Sequence, residues 1–274
     1  MKPSDVTSAM ELSAAANWNQ TREDWCRIKQ LSPTGCRCIK AAEEIVATTT
    51  LLPYGTHLAW IGMVLTRPEY RRQGLARRLM EDAIAMAEQH GIRTLKLDAT
   101  DQGRPLYESL GFVVETTIER WGRDGCELSP AAKEQDCLRN EQLSHELISL
   151  DTQAFGVSRR TLLDPLSRSS KCDATPNGYV FSRPGRVARY LGPCVANSGY
   201  EAEQLITAHL QSSKSKESNQ DSWYWDLLST NQEAISCAQK LGFTQRRLLW
   251  RMRRGEKIEN NDAMVYAIAG FELG

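Results

Sequence analysis

The stretch Gly62 to His90, GMVLTRPEYRRQGLARRLMEDAIAMAEQH, decides how the rest of the chain is read: an apolar strand, a basic loop holding one glycine, then an amphipathic helix. Leu75, Leu79, Ala83 and Ala87 recur every four residues and Met80, Ile84 and Met86 widen the stripe, while Glu81, Asp82 and Glu88 take the opposite side. That periodicity predicts one helix packed on a sheet. The loop is less ordinary. Arg71, Arg72, Arg77 and Arg78 crowd a helix start that the macrodipole already makes positive. Cations there are unfavourable unless an anion docks among them, held by the free N–H groups of the first turn, with Gly74 letting the ligand approach the backbone. A solvated, arginine-rich helix start is the plainer alternative.

Working outward, Gly91 is the expected C-terminal cap, and Ile92 to Ala99 follows as a strand in which Leu95, Leu97 and Ala99 alternate with Lys96 and Asp98. Strand, loop, helix and parallel strand make a βαβ unit whose ligands gather at the carboxyl ends of the strands, which places the arginine loop and Asp98 to Asp101 on one rim. Upstream, residues 5–16 and 21–30 read as helices, the second opened by Thr21 with Asp24 three residues on. Cys36 to Lys40, Ile45 to Leu51 and His57 to Leu65 read as strands, the last apolar enough to be central. Downstream, ATDQGRPLYESLGF predicts a short helix, then a strand from Phe112 to Trp121.

Arg71-Arg72-Gln73-Gly74-Leu75-Ala76 resembles the Arg/Gln-x-x-Gly-x-Gly/Ala signature of the GNAT superfamily of N-acetyltransferases. Leu106 to Phe112, Leu-Tyr-x-x-Leu-Gly-Phe, resembles its second hallmark at the expected distance. The resemblance implies an α/β fold with a mixed sheet and acetyl-CoA as cosubstrate. Pantetheine would pair with Met63, Val64 and Leu65; the pyrophosphate would take backbone N–H groups from Arg72, Gln73, Gly74, Leu75 and Ala76; Arg71, Arg77 and Arg78 would supply charge. Tyr107 fills the family's general-acid position, and Thr100 stands where the family carries asparagine. Acceptor-side candidates are Trp18, Asn19 and Trp25, from the first two helices and their connection, and Asp98 at the rim; hydrophobic anchoring is the plainer role for the tryptophans. The general base stays open among Asp98, Asp101, His57 and a water relay.

NQEAISCAQKLGF, Asn231 to Phe243, repeats the second hallmark, and Gly242 minus Gly111 gives an offset of 131. It sets Val195 on Val64, Leu228 on Leu97 and Ala238 on Tyr107. Where the first copy has its arginine loop, the second has ANSGYEAEQLITAHL without one arginine. The chain thus looks like a tandem acetyltransferase: a catalytic unit at residues 1–128, a polar connection at 124–139, and a degenerate unit at 140–274 that has lost the donor site. Gln211 to Ser222 is predicted as an exposed loop, and Ala263 to Phe271 as a strand able to complete either sheet.

With 34 basic and 34 acidic residues, split 16 to 17 before Leu128, no global field points to nucleic acid or an anionic membrane. The N-terminus lacks a signal-peptide core, no apolar run could span a bilayer, and the eight cysteines show no CxxC or metal-finger spacing. These observations point to a cytoplasmic chain with reduced thiols and no metal site, and the resemblance implies an enzyme whose acceptor is a small primary amine, such as an amino acid, polyamine or aminoglycoside-like compound. A protein N-acetyltransferase and a non-catalytic acyl-CoA sensor are the alternatives. Oligomeric state is not fixed by the sequence.

Overall fold

Thr21 opens its helix with the reciprocal cap that its spacing to Asp24 predicts: Asp24 N donates to Thr21 Oγ1 at 3.3 Å and Thr21 N to Asp24 Oδ2 at 2.9 Å. A computed structural model describes residues 1–125, 138–139, 143–213 and 222–274. In chain order its helices are α1 (Val6–Ala15), α2 (Arg22–Leu31), α3 (Leu75–Gln89), α4 (Arg104–Ser109), α5 (His145–Phe155), α6 (Arg160–Ser169), α7 (Gly199–Ser212) and α8 (Gln232–Lys240). The first five strands are β1 (Cys36–Ala41), β2 (Glu44–Tyr54), β3 (Leu58–Thr66), β4 (Thr94–Ala99) and β5 (Val113–Arg123). The others are β6 (Leu138–Arg139), β7 (Lys171–Thr175), β8 (Gly178–Arg183), β9 (Arg189–Ala196), β10 (Trp223–Leu228), β11 (Thr244–Gly255) and β12 (Val265–Ala267).

The two units do not keep separate sheets. Hydrogen-bonded neighbours run β1-β2-β3-β4-β11-β5-β10-β9-β8-β7-β6, with β12 against β9. β5 and β11 are equivalent strands of the repeat, and each lies in the other unit's half: β11 pairs antiparallel with β4, and β5 with β10. They also pair with each other, Ile118 facing Leu249, and 249 − 118 = 131, the offset of the repeat. That pair therefore marks a local pseudo-twofold axis. On either side of it lie matching ion pairs, Arg251 to Asp98 at 2.8 Å and Arg120 to Asp226 at 2.7 Å. Arg251 and Arg120 differ by 131, but the two aspartates by 128; the starts of α4 and α8 also differ by 128 and their ends by 131, so the three added residues lengthen α8. Leu227, rather than a residue at the full offset, occupies the place of Ala99, and the match of Leu228 to Leu97 is corrected accordingly.

Helices cover both faces. Apolar residues of α1, α2, α5 and α6 share one continuous core on one face, while α3 with α4, and α7 with α8, form two cores on the other. The stripe predicted for α3 is the buried one, Leu79, Met80, Ala83, Ile84, Met86 and Ala87. Leu79, Met80, Ile84 and Met86 each contribute roughly 1.5–3 kcal/mol by leaving water, and the two alanines less.

Three expectations change. The stretch Ala263 to Phe271 is strand only at Val265–Ala267, after a 3₁₀ turn at Asp262–Met264, and Gly270 at φ +137° turns the chain back toward β3. Gln211 and Ser212 finish α7, and residues 214–221 of the predicted loop lie outside the described residues. Of the connection 124–139, residues 126–137, with Cys126 and Cys137, lie outside them as well.

Candidate active site

β3 carries two departures from a regular ladder. Its register with β2 slips between Thr48 and Thr50, Met63 turns to φ +50°, and Thr48 Oγ1 donates to Met63 O at 2.8 Å. This is a β-bulge, which re-aims a strand where it occurs. On its other side β3 pairs with β4 only through Leu58, Ala59 and Trp60. From Ile61 onward the two parallel strands part, so the backbone of Met63, Val64 and Leu65 has no ladder partner on the β4 side. An extended ligand with amide groups can add there as a strand would.

The basic loop opens at the end of that gap. Arg72 at φ +60° and Gly74 at φ +78° turn the chain into α3, whose N-cap is Gly74 with no side-chain cap. Among the described residues, none of the N–H groups of Arg72 to Arg77 meets a protein acceptor; Arg78 N is the first, bonding Gly74 O at 3.0 Å. No acid sits in the first turn. Arg71 donates to Thr66 O at 3.3 Å, Arg77 to Ser109 Oγ at 2.7 Å, and Arg72 and Arg78 have no ion-pair partner among the described residues. A backbone cradle of unspent donors in a positive field is what a pyrophosphate requires. A Cβ on Gly74 would meet nothing within 4 Å. The glycine therefore serves its left-handed conformation, not internal packing, and leaves the backbone there uncovered.

Tyr107 lies on α4 against Phe112, ring centroids 6.2 Å apart, on the face that carries α3. Its phenol has no hydrogen-bond partner among the described residues, and burial alone raises its pKa. Thr100 Oγ1 accepts from Gly103 N at 3.1 Å and so caps the turn into α4. Asp98 is on the opposite face of β4, its side chain fully buried and held bidentate by Arg251. Burial raises its pKa, and Arg251 opposes the shift. Asp101 accepts from Trp250 Nε1 at 2.7 Å. His57 sits just before the paired end of β3, away from the gap. Trp25 is fully buried with its Nε1 on Ser13, a core position with no face toward a ligand. Asn19 spends its amide on Val187 N, Ala188 N and Ala188 O, clamping the α1–α2 connection to the second unit, and Trp18 O accepts from Arg186 there. Arg251 and Glu272 had no signal in the sequence, because the exchanged strand β11 and the returning tail bring them to this face.

The second unit's equivalent places are closed. β9 and β10 pair through Arg189, Tyr190 and Leu191, and β12 then fills the gap: Val265 pairs with Val195, Ala267 with Cys194, and Ile268 N donates to Asp226 O at 3.1 Å. Val195 is the residue that the repeat sets on Val64. Its helix α7 is capped by Ser198, whose side chain accepts from Glu201 N, and Glu201 adds a negative charge to the first turn. Among the described residues no cluster of His, Cys, Asp or Glu could hold a metal ion, and no helix is long and apolar enough to cross a membrane.

Residues 8–112 match the acetyltransferase (GNAT) family and residues 147–267 a further GNAT acetyltransferase domain. YitH of Bacillus subtilis (strain 168), an uncharacterized N-acetyltransferase, is 32% identical over 212 residues, 74% of this chain and 73% of YitH. A Pyrococcus horikoshii protein assigned to the acetyltransferases superposes with a TM-score of 0.86 at 23% identity, over 100% of this chain and 94% of that one. A tandem GNAT protein from the clavulanic acid biosynthesis pathway does so at 0.68 and 16%, over 92% and 95%. With an α/β fold, two matching units and this relative, the chain belongs to the GNAT family of acetyltransferases, in its tandem form.

Proposed function

We propose that the first unit transfers an acetyl group from acetyl-CoA to a primary amine of a small molecule, and that the second unit has no donor site of its own. One contrast carries this reading: the gap beside β3 and the N-terminus of α3 are open, while β12 fills the matching gap and Ser198 caps the matching helix.

Acetyl-CoA supplies a thioester acetyl group. The backbone of Met63, Val64 and Leu65 holds the pantetheine amides, and Arg72, Gln73, Gly74, Leu75 and Ala76 give N–H donors to the pyrophosphate. Arg71, Arg77 and Arg78 add charge that oriented donors alone lack. Tyr107 Oη gives a proton to the leaving sulfur; its raised pKa keeps the phenol protonated until the thiolate forms. Support for a small acceptor comes from the face opposite α3. There the returning tail rests on β3, and the Arg186 to Ala188 turn is bonded to Asn17, Trp18 and Asn19, so the second unit walls the approach. Trp18 is the acceptor-side candidate that keeps an exposed part.

Thiol release across a panel of amines tests the reading, repeated with Tyr107→Phe and Gly74→Glu. Transfer by the wild type that falls in both variants is expected; unchanged turnover in both refutes the site.

A further inference from the structure

Two cavities border the tail on the face opposite α3. The larger, about 180 Å³, is lined by Trp60, Lys96, Glu115, Arg159, Arg251 and others, and its buried charges are already matched: Lys96 with Glu115, Arg251 with Asp98, Arg159 with Asp151. The smaller, about 10 Å³, has the room of one water and is lined by Asn19, Gln20, Asp24, Arg120, Arg183 and Glu272, with Tyr190 beside them. Here one group is left over. Gln20 is 8% exposed, its Nε2 donates to Glu272 Oε2 at 2.8 Å, and its Oε1 is buried without a partner among the described residues. An orphan acceptor beside a carboxylate is the arrangement that an N–H or O–H donor completes.

The position of Glu272 gives the arrangement a purpose. A Cβ on Gly62 would meet Glu272 Cα at 2.8 Å, so the tail lies directly on β3 at the residue before the Met63 bulge, where the donor gap opens. Glycine leaves that position of β3 without a side chain, and the Cα and Cβ of Glu272 occupy the space, with its carboxylate turned to Gln20 and Arg183. The tail is fixed there by Trp60 Nε1 to Phe271 O at 2.8 Å, Tyr54 Oη to Leu273 O at 2.5 Å, and Arg183 Nη2 to Ala269 O at 2.8 Å.

We infer that Glu272, carried by the second unit, is the proton acceptor for the amine substrate of the first unit's site, with Gln20 Oε1 receiving the donor that bridges them. The assignment rests on the function proposed above. The ammonium gives one proton to a Glu272 carboxylate oxygen, directly or through a water at Gln20 Oε1. The neutral nitrogen forms the C–N bond as the thioester C–S bond breaks, the thiolate takes the Tyr107 proton, the second proton leaving nitrogen restores the phenol, and Glu272 releases its proton to solvent. Every proton is placed, and one is released per turnover.

The charges facing Glu272 come from every element around it. Arg183 of β8 lies at 3.4 Å and Asp24 of α2 shares that guanidinium with it, with Arg27 on Asp24 in turn. Arg120 of β5, which Asp226 of β10 neutralises, and the phenols of Tyr190 and Tyr54 complete the surroundings. Burial, joined by Asp24, raises the carboxyl's pKa, and Arg183 and Gln20 oppose the shift. A raised value suits a group that must take a proton near neutral pH.

The test compares wild type with Glu272→Gln and Gln20→Leu. Neither is expected to unfold the protein, since Arg183 keeps Asp24 in the first and no charge is orphaned in the second. For Glu272→Gln, kcat/KM for the amine is expected to fall roughly a hundredfold or more at neutral pH. The wild-type acid limb should be replaced by one set by the amine's own pKa, activity rising with pH up to that value, while calorimetric affinity for CoA is unchanged. For Gln20→Leu the acid limb should move to higher pH, because a hydrogen bond that lowers the carboxyl's pKa is gone. Carbon-13 NMR of glutamate-labelled free protein gives a readout independent of turnover: one carboxyl titrating above the ordinary range, absent in Glu272→Gln and higher in Gln20→Leu. A wild-type acid limb retained in Glu272→Gln, or no such carboxyl in the titration, overturns the assignment while leaving the proposed function standing. A wild type that transfers to no amine overturns the function, and this assignment with it.

Discussion

Replacing Arg251 by methionine removes the cation that the second unit supplies to Asp98 across the exchanged strands. The aspartate side chain is fully buried and the arginine side chain 9% exposed, so water does not replace the lost partner. Removing one member of a buried pair costs about 3–5 kcal/mol, against a total stability of about 5–15 kcal/mol. At about 2–4 °C per kcal/mol for a chain of this size, the midpoint of thermal unfolding should fall by roughly 6–20 °C. The pH dependence has a definite sign. Asp98 already has a folded pKa above its ordinary 3.8, held down chiefly by Arg251, and the substitution lifts it further. Below the ordinary value both folded and unfolded forms carry the proton and the penalty is absent; it grows as pH rises through the folded value. Urea unfolding followed by tryptophan fluorescence should therefore show a larger loss at pH 8 than at pH 5. Asp98→Leu/Arg251→Met, which removes both charges, should lie within about 1 kcal/mol of wild type. A double variant as unstable as the single one refutes the pairing. A second transition, in which residues 140–274 melt apart from the rest, refutes the interlocking of the halves.

Further outcomes test the donor site and the halves. Gly74→Ala should cost about 1–2 kcal/mol of stability, from φ +78° alone, yet weaken CoA by tenfold or more in calorimetry, since the added methyl meets no protein atom within 4 Å and in the proposed site would face the pyrophosphate. Tyr107→Phe should lower kcat by roughly 10²-fold or more with CoA affinity unchanged, read by stopped thiol-release assays. Residues 1–128 expressed alone should be insoluble, for want of β11 and the tail, and recover when coexpressed with residues 140–274; a soluble, folded fragment by NMR would argue otherwise. His209, buried between Asp173 and Ser182, has a pKa lowered below 6.5 by burial. Stability should thus fall as pH drops below 6.5, by at most about 1.4 kcal/mol per unit, and His209→Gln should flatten that slope in urea melts at pH 5 to 7.

What was legible in the sequence is local. The gap strand, the arginine loop and α3 lie within thirty residues, so periodicity, a glycine and a charge excess suffice to place them. The two tryptophans show the limit. Trp18 and Trp25 flank one helix start and look alike in sequence, yet α2 turns Trp25 into the core and leaves Trp18 partly exposed. Asp98 read as a rim acid because nothing near it in sequence announces Arg251, 153 residues on. The alternation from Ala263 to Phe271 suggested one strand, whereas only Val265 and Ala267 pair with β9, Ile268 N turns to β10, and the remainder crosses to β3. Glu272 and Gln20 are 252 residues apart, and only the fold brings them together.

The exchange of β5 and β11 also has a consequence during synthesis. As the first half leaves the ribosome, β4 has no neighbour on its outer side, because the strand that belongs there lies at Thr244–Gly255. At about 5–20 residues per second, the remaining chain takes on the order of ten seconds to emerge. Throughout that interval an apolar sheet edge, with Asp98 uncompensated, is open to pairing with other chains. The halves of this protein can complete their sheet only together, which makes its yield in the cell sensitive to translation rate, temperature and chaperone supply.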